Sequence, residues 1–258
     1  MSFTPLHSIP NFTIGIVTTE TIAPNILMSL KAQRMSKFEI IIVGGPADNA
    51  EITAKYMADV GQDLVYVKHI PFEDTNAPYT IKKNLITKNA IFDNIVFMHD
   101  YMVFLPGWYD GFAKFGDDWD ICMNVIQNAD GSRFRDWCAW DDPELCWPSI
   151  TPTEKEIEDA YVDNYHSPKG IFKNNHQIAL VPYTYNKIKY MYISGAFWVA
   201  KKHVMEQEPL DEKLHWGTGE DVEWSRRTIK NGKFKYKMNM HSTVKCLKNK
   251  KLSAVIIK

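Results

Sequence analysis

The sequence lacks the patterns that would assign it to several common protein classes. Its four cysteines show no CxxC spacing, so neither a zinc site nor a disulfide framework is indicated. No stretch approaches the roughly 20 apolar residues that a membrane-spanning helix needs, and residues 1–10 lack the charged start and apolar block of a signal peptide. The formal net charge of −1 gives no electrostatic case for nucleic acid or an anionic membrane. We therefore expect a cytoplasmic protein without a transmembrane segment or a nucleic-acid partner.

What the sequence does contain is typical of a globular domain. Of its 258 residues, 45% are hydrophobic and 24% charged, which suffices for one sizeable core or for two halves that share a cleft. The basic residues are unevenly distributed, since residues 230–251 are rich in lysine. Such a run is either a solvated surface or a patch that faces phosphate-bearing ligands.

The first part of the chain alternates short apolar runs with helical spacing. Strands are predicted at 12–19, 38–43, 64–67 and 94–98, and helices at 26–35, 51–60 and 80–90. This alternation predicts an α/β fold with a doubly wound, mostly parallel sheet. Ligands of such sheets bind at the carboxyl ends of the strands. The residues at those ends are Thr18, Thr19, Gly44, His99 and Asp100.

The pattern changes after residue 120. A strand is predicted at 121–125, and residues 130–190 are polar and aromatic, with one helix at 154–161. Two later strands are predicted at 190–200 and 233–240. We expect a single domain over 1–258, with a ligand-binding half at 1–120 and an elaborated half at 121–258.

Residues 216–226, WGTGEDVEWSR, combine aromatics, glycines and carboxylates. Glycines this close together allow a positive φ or a close approach to a ligand. We predict a glycine loop that enters a helix, with Glu220 and Asp221 in the first turn. Carboxylates there stabilise a helix start, so the pair is either a cap or part of a catalytic site.

Three separated segments resemble those of metal-dependent glycosyltransferases with the GT-A fold, including the β-1,4-galactosyltransferase group. WGTGEDVEWSR looks like their acceptor-side motif, and MNMHS at 238–242 is similar to the segment that supplies a metal-binding histidine. FMHDY at 97–101 stands where these families carry an acidic metal-binding motif. The resemblance implies a Rossmann-like GT-A domain that moves a sugar from a nucleotide-diphosphate donor to a glycan or other hydroxyl acceptor.

The resemblance also implies roles for individual residues. Asp221 is expected to be the general base of an inverting reaction, and Glu220 to hydrogen-bond a sugar. Asp100 and His241 are expected to bind Mn²⁺ or Mg²⁺, which suit carboxylate and imidazole or all-oxygen ligands. The expected donor-binding residues are Thr18, Thr19, Glu20, Gly44, Lys83, Asn84 and His99. The expected acceptor-binding residues are Trp216, Gly219 and Trp198.

Two other functions stay open on the sequence alone. A nucleotidyltransferase would share the α/β layer and a metal-binding aspartate, although residues 17–20 (VTTE) offer no glycine-rich basic loop. A non-catalytic carbohydrate-binding module would keep the fold without the chemistry. The single acid in HDY, where two are usual in the resembled families, motivates that alternative.

Overall fold

The computed structural model describes residues 10–58, 63–73, 78–140, 142–146, 178–215, 219–250 and 255–256. The helix predicted at 154–161 and the candidate acceptor residue Trp216 lie outside these ranges. Within them, no helix has both the length and the apolar character to cross a bilayer.

The first half alternates strands and helices in the predicted order. Each strand and helix lies within a few residues of its predicted place, because apolar periodicity defines element type better than element ends. The elements are β1 (Phe12–Val17), α1 (Pro24–Lys31), β2 (Lys37–Val43), α2 (Asn49–Met57), β3 (Asp63–Ile70), α3 (Tyr79–Asn89) and β4 (Asn94–His99).

The second half departs further from the prediction. The strand predicted at 190–200 is two strands separated by a loop, and the strand predicted to end at 240 continues to Cys246. A 3₁₀ turn covers Ile188–Tyr190. The other elements are β5 (Met102–Phe104), α4 (Trp108–Phe115), β6 (Ile121–Gln127), β7 (Cys138–Trp140), α5 (Pro143–Cys146), β8 (Ile178–Leu180), β9 (Met191–Tyr192), β10 (Phe197–Lys201), α6 (Lys202–Gln207), α7 (Glu220–Asn231), β11 (Tyr236–Cys246) and β12 (Val255–Ile256).

Eight strands form the main sheet, in the order β3-β2-β1-β4-β10-β6-β11-β5. The strands β1 to β4 are parallel, β10 runs antiparallel to both of its neighbours, and β6 and β11 are parallel to each other. A second sheet has the order β12-β8-β7-β9. The sequence prediction of a mostly parallel sheet is therefore correct for the first half, and β10 adds an antiparallel strand at its centre.

Aromatic side chains dominate the core around the central strands. Phe12 lies 5.4 Å from Trp108 and 4.9 Å from Phe112, measured between ring centroids. Burial of such side chains stabilises a fold by about 1.5–3 kcal/mol each. This packing fixes α4 against β1.

The register of the sheet brings several strand ends to one edge. Val17 pairs with His99, Met98 pairs with Phe197, and Met102 pairs with Cys246. Because β10 is antiparallel, its first residue lies beside the last residues of β4. The loops after β1, β4 and β11 and the loop before β10 therefore meet at this edge, where the candidate site lies.

Candidate functional site

One hollow lies at the ends of β1 and β4. It has a volume of about 180 Å³ and is lined by residues that include Thr18, Thr19, Glu20, His99 and Asp100. The hydroxyl of Thr18 lies 2.6 Å from Oδ2 of Asp100, which holds the carboxylate in place. Four of the seven expected donor-binding residues thus line this hollow, together with Asp100, the expected metal ligand.

Gly44, one of the expected donor-binding residues, lies behind that wall. Gly44 has a φ of +86°, and a Cβ there would lie 2.6 Å from Nζ of Lys82. Lys82 is buried and donates a hydrogen bond to the carbonyl of Thr18, at 2.7 Å. Gly44 therefore makes room for a lysine that supports the loop carrying Thr18, and it does not line the hollow.

A second hollow adjoins the first. Its volume is about 300 Å³, and Glu220, Asp221 and Gly195 are among its lining residues. The two hollows share His99 and Tyr101. Asp100 and Asp221, which are 121 positions apart in the sequence, therefore face adjoining parts of one cleft.

The backbone fixes the carboxylate of Asp221. Its Oδ2 accepts a hydrogen bond from the Gly195 amide at 3.0 Å, and its Oδ1 accepts one from the Val222 amide at 2.9 Å. On the other side of the same loop, the Lys83 ammonium donates to the Gly195 carbonyl at 2.8 Å. Lys83 is buried, so it supports the second hollow from beneath and does not line it as a donor-binding residue would.

Glu220 is almost completely buried at the first position of α7. Burial raises the pKa of Glu220 to about 7, and the negative charge of Asp221 adds to the rise, while Lys83 opposes it. The pKa of the Lys83 ammonium is lowered by burial, partly offset by the two carboxylates. Near neutral pH, Glu220 is therefore protonated in a large fraction of molecules.

The helix start that carries both acids matches the sequence prediction. Gly219 has a φ of +76° and precedes α7, and its carbonyl accepts the Glu223 amide at 2.9 Å. A left-handed conformation favours glycine because a Cβ would crowd the backbone. Gly219 therefore shapes the turn into α7, and its predicted contact with an acceptor stays a prediction.

Two stacked rings separate the hollows. The ring of His99 lies 5.2 Å from that of Tyr101 at an angle of 29°. Burial lowers the pKa of His99 well below its usual value, and the positive charges of Lys83 and Lys250 lower it further. The imidazole is therefore neutral at physiological pH.

Two lysines of the segment after β11 lie over the ring of Tyr101. Nζ of Lys248 lies 4.6 Å from the ring centroid, and Nζ of Lys250 lies 4.2 Å from it. Lys250 also donates to the Tyr101 hydroxyl at 2.6 Å. Lys248 lines the first hollow and Lys250 the second.

The prediction that His241 shares a metal site with Asp100 is wrong. His241 is exposed in the middle of β11 and lines neither hollow. The strand has a register shift between Asn239 and Thr243 and continues for five residues beyond His241 to Cys246 at the cleft edge. The expectation for His241 came from the resemblance of MNMHS to a metal-binding segment, and the position of that segment within β11 does not support it.

Two further site predictions are corrected by packing. Trp198 is fully buried and stacks on Phe97 with ring centroids 4.3 Å apart, so it belongs to the core and cannot contact an acceptor sugar. The side-chain amide of Asn84 donates to the Leu210 carbonyl and accepts the Leu210 amide, at 2.9 and 3.0 Å. Asn84 therefore braces α3 against the segment after α6 and does not face the donor hollow.

Sequence reasoning missed Tyr101, Gly195, Lys248 and Lys250. Tyr101 directly follows His99 and Asp100, which were both predicted as site residues, and this position in the sequence was the signal that could have identified it. The lysine-rich run at 230–251 was the signal for the two lysines, because a phosphate-facing patch was one of its two interpretations. Gly195 was assigned to a strand interior, and a glycine there is a known mark of a close backbone approach.

Comparison with known proteins yields structures but no sequence families. No protein-family model and no curated protein sequence matches the chain. S. aureus TarS 1–349 superposes with a TM-score of 0.57 at 14% identity, over 92% of this chain and 60% of that one. GalNAc-T7 with UDP, GalNAc and Mn²⁺ gives 0.58 at 12% identity, over 96% of this chain and 45% of that one.

The chain has the GT-A fold of these glycosyltransferases. TarS 1–349 in complex with UDP also superposes, with a TM-score of 0.52 at 13% identity, over 96% of this chain and 61% of the other. The predicted GT-A fold is thereby confirmed. The chain spans less than two thirds of the length of each of these proteins, and identities this low establish the fold alone.

Proposed function

We propose that the protein is a glycosyltransferase that moves a sugar from a nucleoside-diphosphate donor to a hydroxyl acceptor. The observation that carries the proposal is the continuous cleft in which Asp100 and the pair Glu220 and Asp221 face adjoining hollows. The cleft lies at the carboxyl ends of parallel strands, where α/β sheets bind their ligands. UDP is present in structures of both TarS and GalNAc-T7, which makes UDP-sugars the first donors to test.

The donor nucleotide is assigned to the first hollow. Thr18, Thr19 and Glu20 form its wall after β1, and Asp100 stands at the end of β4. The transferred sugar then lies near Tyr101 and His99, where the hollows meet, and the acceptor enters the second hollow.

A divalent metal fits this cleft only with the help of the donor. The described residues contain no group of three histidine, cysteine or acidic side chains able to hold a metal. Asp100 is the candidate ligand, and one carboxylate together with phosphate oxygens and waters is a common way of binding Mg²⁺. Such a cation would neutralise charge on the departing diphosphate.

Asp221 is assigned the role of general base. Two backbone amides orient its carboxylate, and each oxygen keeps a further lone pair for an acceptor hydroxyl. As that hydroxyl oxygen attacks the anomeric carbon, its proton passes to Asp221, and the bond to the diphosphate breaks on the opposite face. This order of events gives inversion at the anomeric carbon.

Glu220 is assigned to the acceptor or the transferred sugar. With its pKa near 7, its carboxyl can donate a hydrogen bond when protonated and accept one when ionised. Both forms recognise a sugar hydroxyl. We therefore expect Glu220 to affect KM for the acceptor more than Asp221 does.

The experiment is a panel of nucleotide sugars with Mn²⁺ or Mg²⁺, with release of nucleoside diphosphate as the signal. Asp221→Asn should lower turnover by about 10²- to 10⁴-fold while donor affinity measured by calorimetry stays within a few-fold. Glu51→Asn, an exposed acid on α2, is the control and should keep full activity.

The alternatives give different results in the same experiment. A binding module would bind a donor or a sugar without releasing nucleoside diphosphate. A nucleotidyltransferase would release pyrophosphate from a nucleoside triphosphate. Failure of every donor to bind or to turn over would end the proposal of sugar transfer.

A further inference from the structure

We propose that Lys248 and Lys250 hold the diphosphate of the donor between them, one lysine at each hollow. This inference rests on the proposed sugar transfer, because it assigns contacts to the donor of that reaction. It gives the segment 247–250 a role in donor binding in addition to the loop after β1.

The positions of the two ammonium groups carry the proposal. Lys248 lines the hollow that contains Thr18 and Asp100, and Lys250 lines the hollow that contains Glu220 and Asp221. Both lie over the ring of Tyr101, which lines both hollows. A diphosphate that joins a nucleotide in one hollow to a sugar in the other has to pass this ring.

The backbone holds the segment in place before any ligand binds. The Leu247 amide donates to the Tyr101 carbonyl at 2.8 Å. At the other end, the Lys250 amide donates to Oδ1 of Asn128 at 3.2 Å, and Nδ2 of Asn128 donates to the Lys250 carbonyl at 3.3 Å. Because these bonds fix both ends, little ordering of the backbone remains to be done on binding.

The charges around Lys250 favour an anion. Burial lowers its pKa, and the positive charges of Lys248 and Arg135 lower it further. Arg135 lines the same hollow. A phosphate placed among these three cations would relieve their mutual repulsion, and an ammonium is a compact charge well suited to phosphate oxygens.

Burial and bonding distinguish Lys250 from a solvated lysine, whereas Lys248 is exposed and is distinguished by its position over the Tyr101 ring. Lys250 is half-buried and bonded to Tyr101. Lys233 is exposed in the same lysine-rich part of the chain, and so is Lys114 at the end of α4. These two residues provide a control with the same change of charge.

The test compares Lys248→Gln/Lys250→Gln with Lys114→Gln/Lys233→Gln by calorimetry. The ligands are UDP, GDP, CDP, ADP and dTDP and the matching nucleosides, each in Mn²⁺ and in EDTA. For the diphosphate that the wild type binds, the first variant should lose about tenfold or more in affinity per lysine. Its affinity for the nucleoside should change less than about threefold, and the control variant should match the wild type.

A charge-keeping variant separates a role in binding from a role in folding. Lys250→Arg should retain most of the affinity for the diphosphate, whereas Lys250→Gln should not. The dependence of diphosphate affinity on salt should also be weaker in the double Gln variant, because fewer charges contact the phosphates.

Three results would overturn the inference. If the double Gln variant binds the diphosphate as tightly as the wild type, the lysines do not contact it, although sugar transfer stands. Equal losses for the diphosphate and the nucleoside would show a general distortion of the cleft. Absence of any diphosphate binding to the wild type would overturn the proposed donor and the lysine contacts together.

Discussion

Replacement of Glu220 by glutamine should stabilise the protein, and more so as the pH rises. The carboxyl is almost fully buried beside Asp221, and its pKa is raised from 4.5 to about 7. An acid whose folded pKa exceeds its unfolded pKa binds more protons in the folded state between those values. Folding stability therefore falls as the pH rises through that window.

The size of the effect follows from the shift. A rise from 4.5 to about 7 corresponds to about 3 kcal/mol over the whole titration, at 1.36 kcal/mol per pH unit. About 2.5 kcal/mol of this falls between pH 5 and pH 8.5. The glutamine variant cannot ionise, so its advantage over the wild type should grow by roughly that amount across the same interval.

The assay is urea unfolding of the wild type and Glu220→Gln at pH 5 and pH 8.5. Titrations common to both proteins cancel in the difference between them. Glu51→Gln replaces an exposed carboxyl, and its difference from the wild type should change by less than about 0.5 kcal/mol between the two pH values.

The reasoning would be refuted if the difference in free energy of unfolding between Glu220→Gln and the wild type were the same at pH 5 and pH 8.5. That result would mean that the carboxyl is as well solvated in the folded protein as in the unfolded chain. A stabilised variant with weakened acceptor binding would instead show that the buried acid is retained for function at the expense of stability.

Other substitutions test other parts of the cleft. Asp100→Asn should remove the increase in diphosphate affinity that Mn²⁺ gives and leave the affinity in EDTA within a few-fold, measured by calorimetry. Gly195→Ala places a Cβ 3.1 Å from Oδ2 of Asp221, so turnover should fall by about tenfold or more with little change in Tm. Trp198→Ala should lower the free energy of unfolding by about 3–5 kcal/mol, whereas a sugar-stacking residue at the surface would change stability little. Burial lowers the pKa of His99, so the wild type should lose stability as the pH falls below about 6.5, and His99→Gln should lose less.

The sequence predicted the first half of the fold well, for a physical reason. The strands β1, β2 and β4 are buried along nearly their whole length, so they appear as continuous apolar runs. Strand ends carry polar residues because they leave the core there. The placement of Thr18 and Asp100 in one hollow followed from that rule alone.

The second half was harder to predict because its structure depends on distant contacts. Among the strands that the structure describes, β5 pairs only with β11, and β10 lies between β4 and β6. Neither pairing can be deduced from local periodicity. The same cause explains why the predicted strand at 233–240 was too short, since the length of β11 depends on its pairing with β5 and β6 up to Cys246.

The backbone amide and carbonyl of Gly195 connect the two halves of the cleft. Its carbonyl accepts Lys83 from α3, and its amide donates to Asp221 on α7. A shift of this loop would therefore move the carboxylate and uncover a buried ammonium together. Because His99 also donates its amide to the carbonyl of Ala196, the next residue, the end of β4 is tied to the same loop. The position of the proposed base thus depends on the strand that carries the proposed metal ligand, so a ligand that displaces Asp100 should also change the orientation of Asp221.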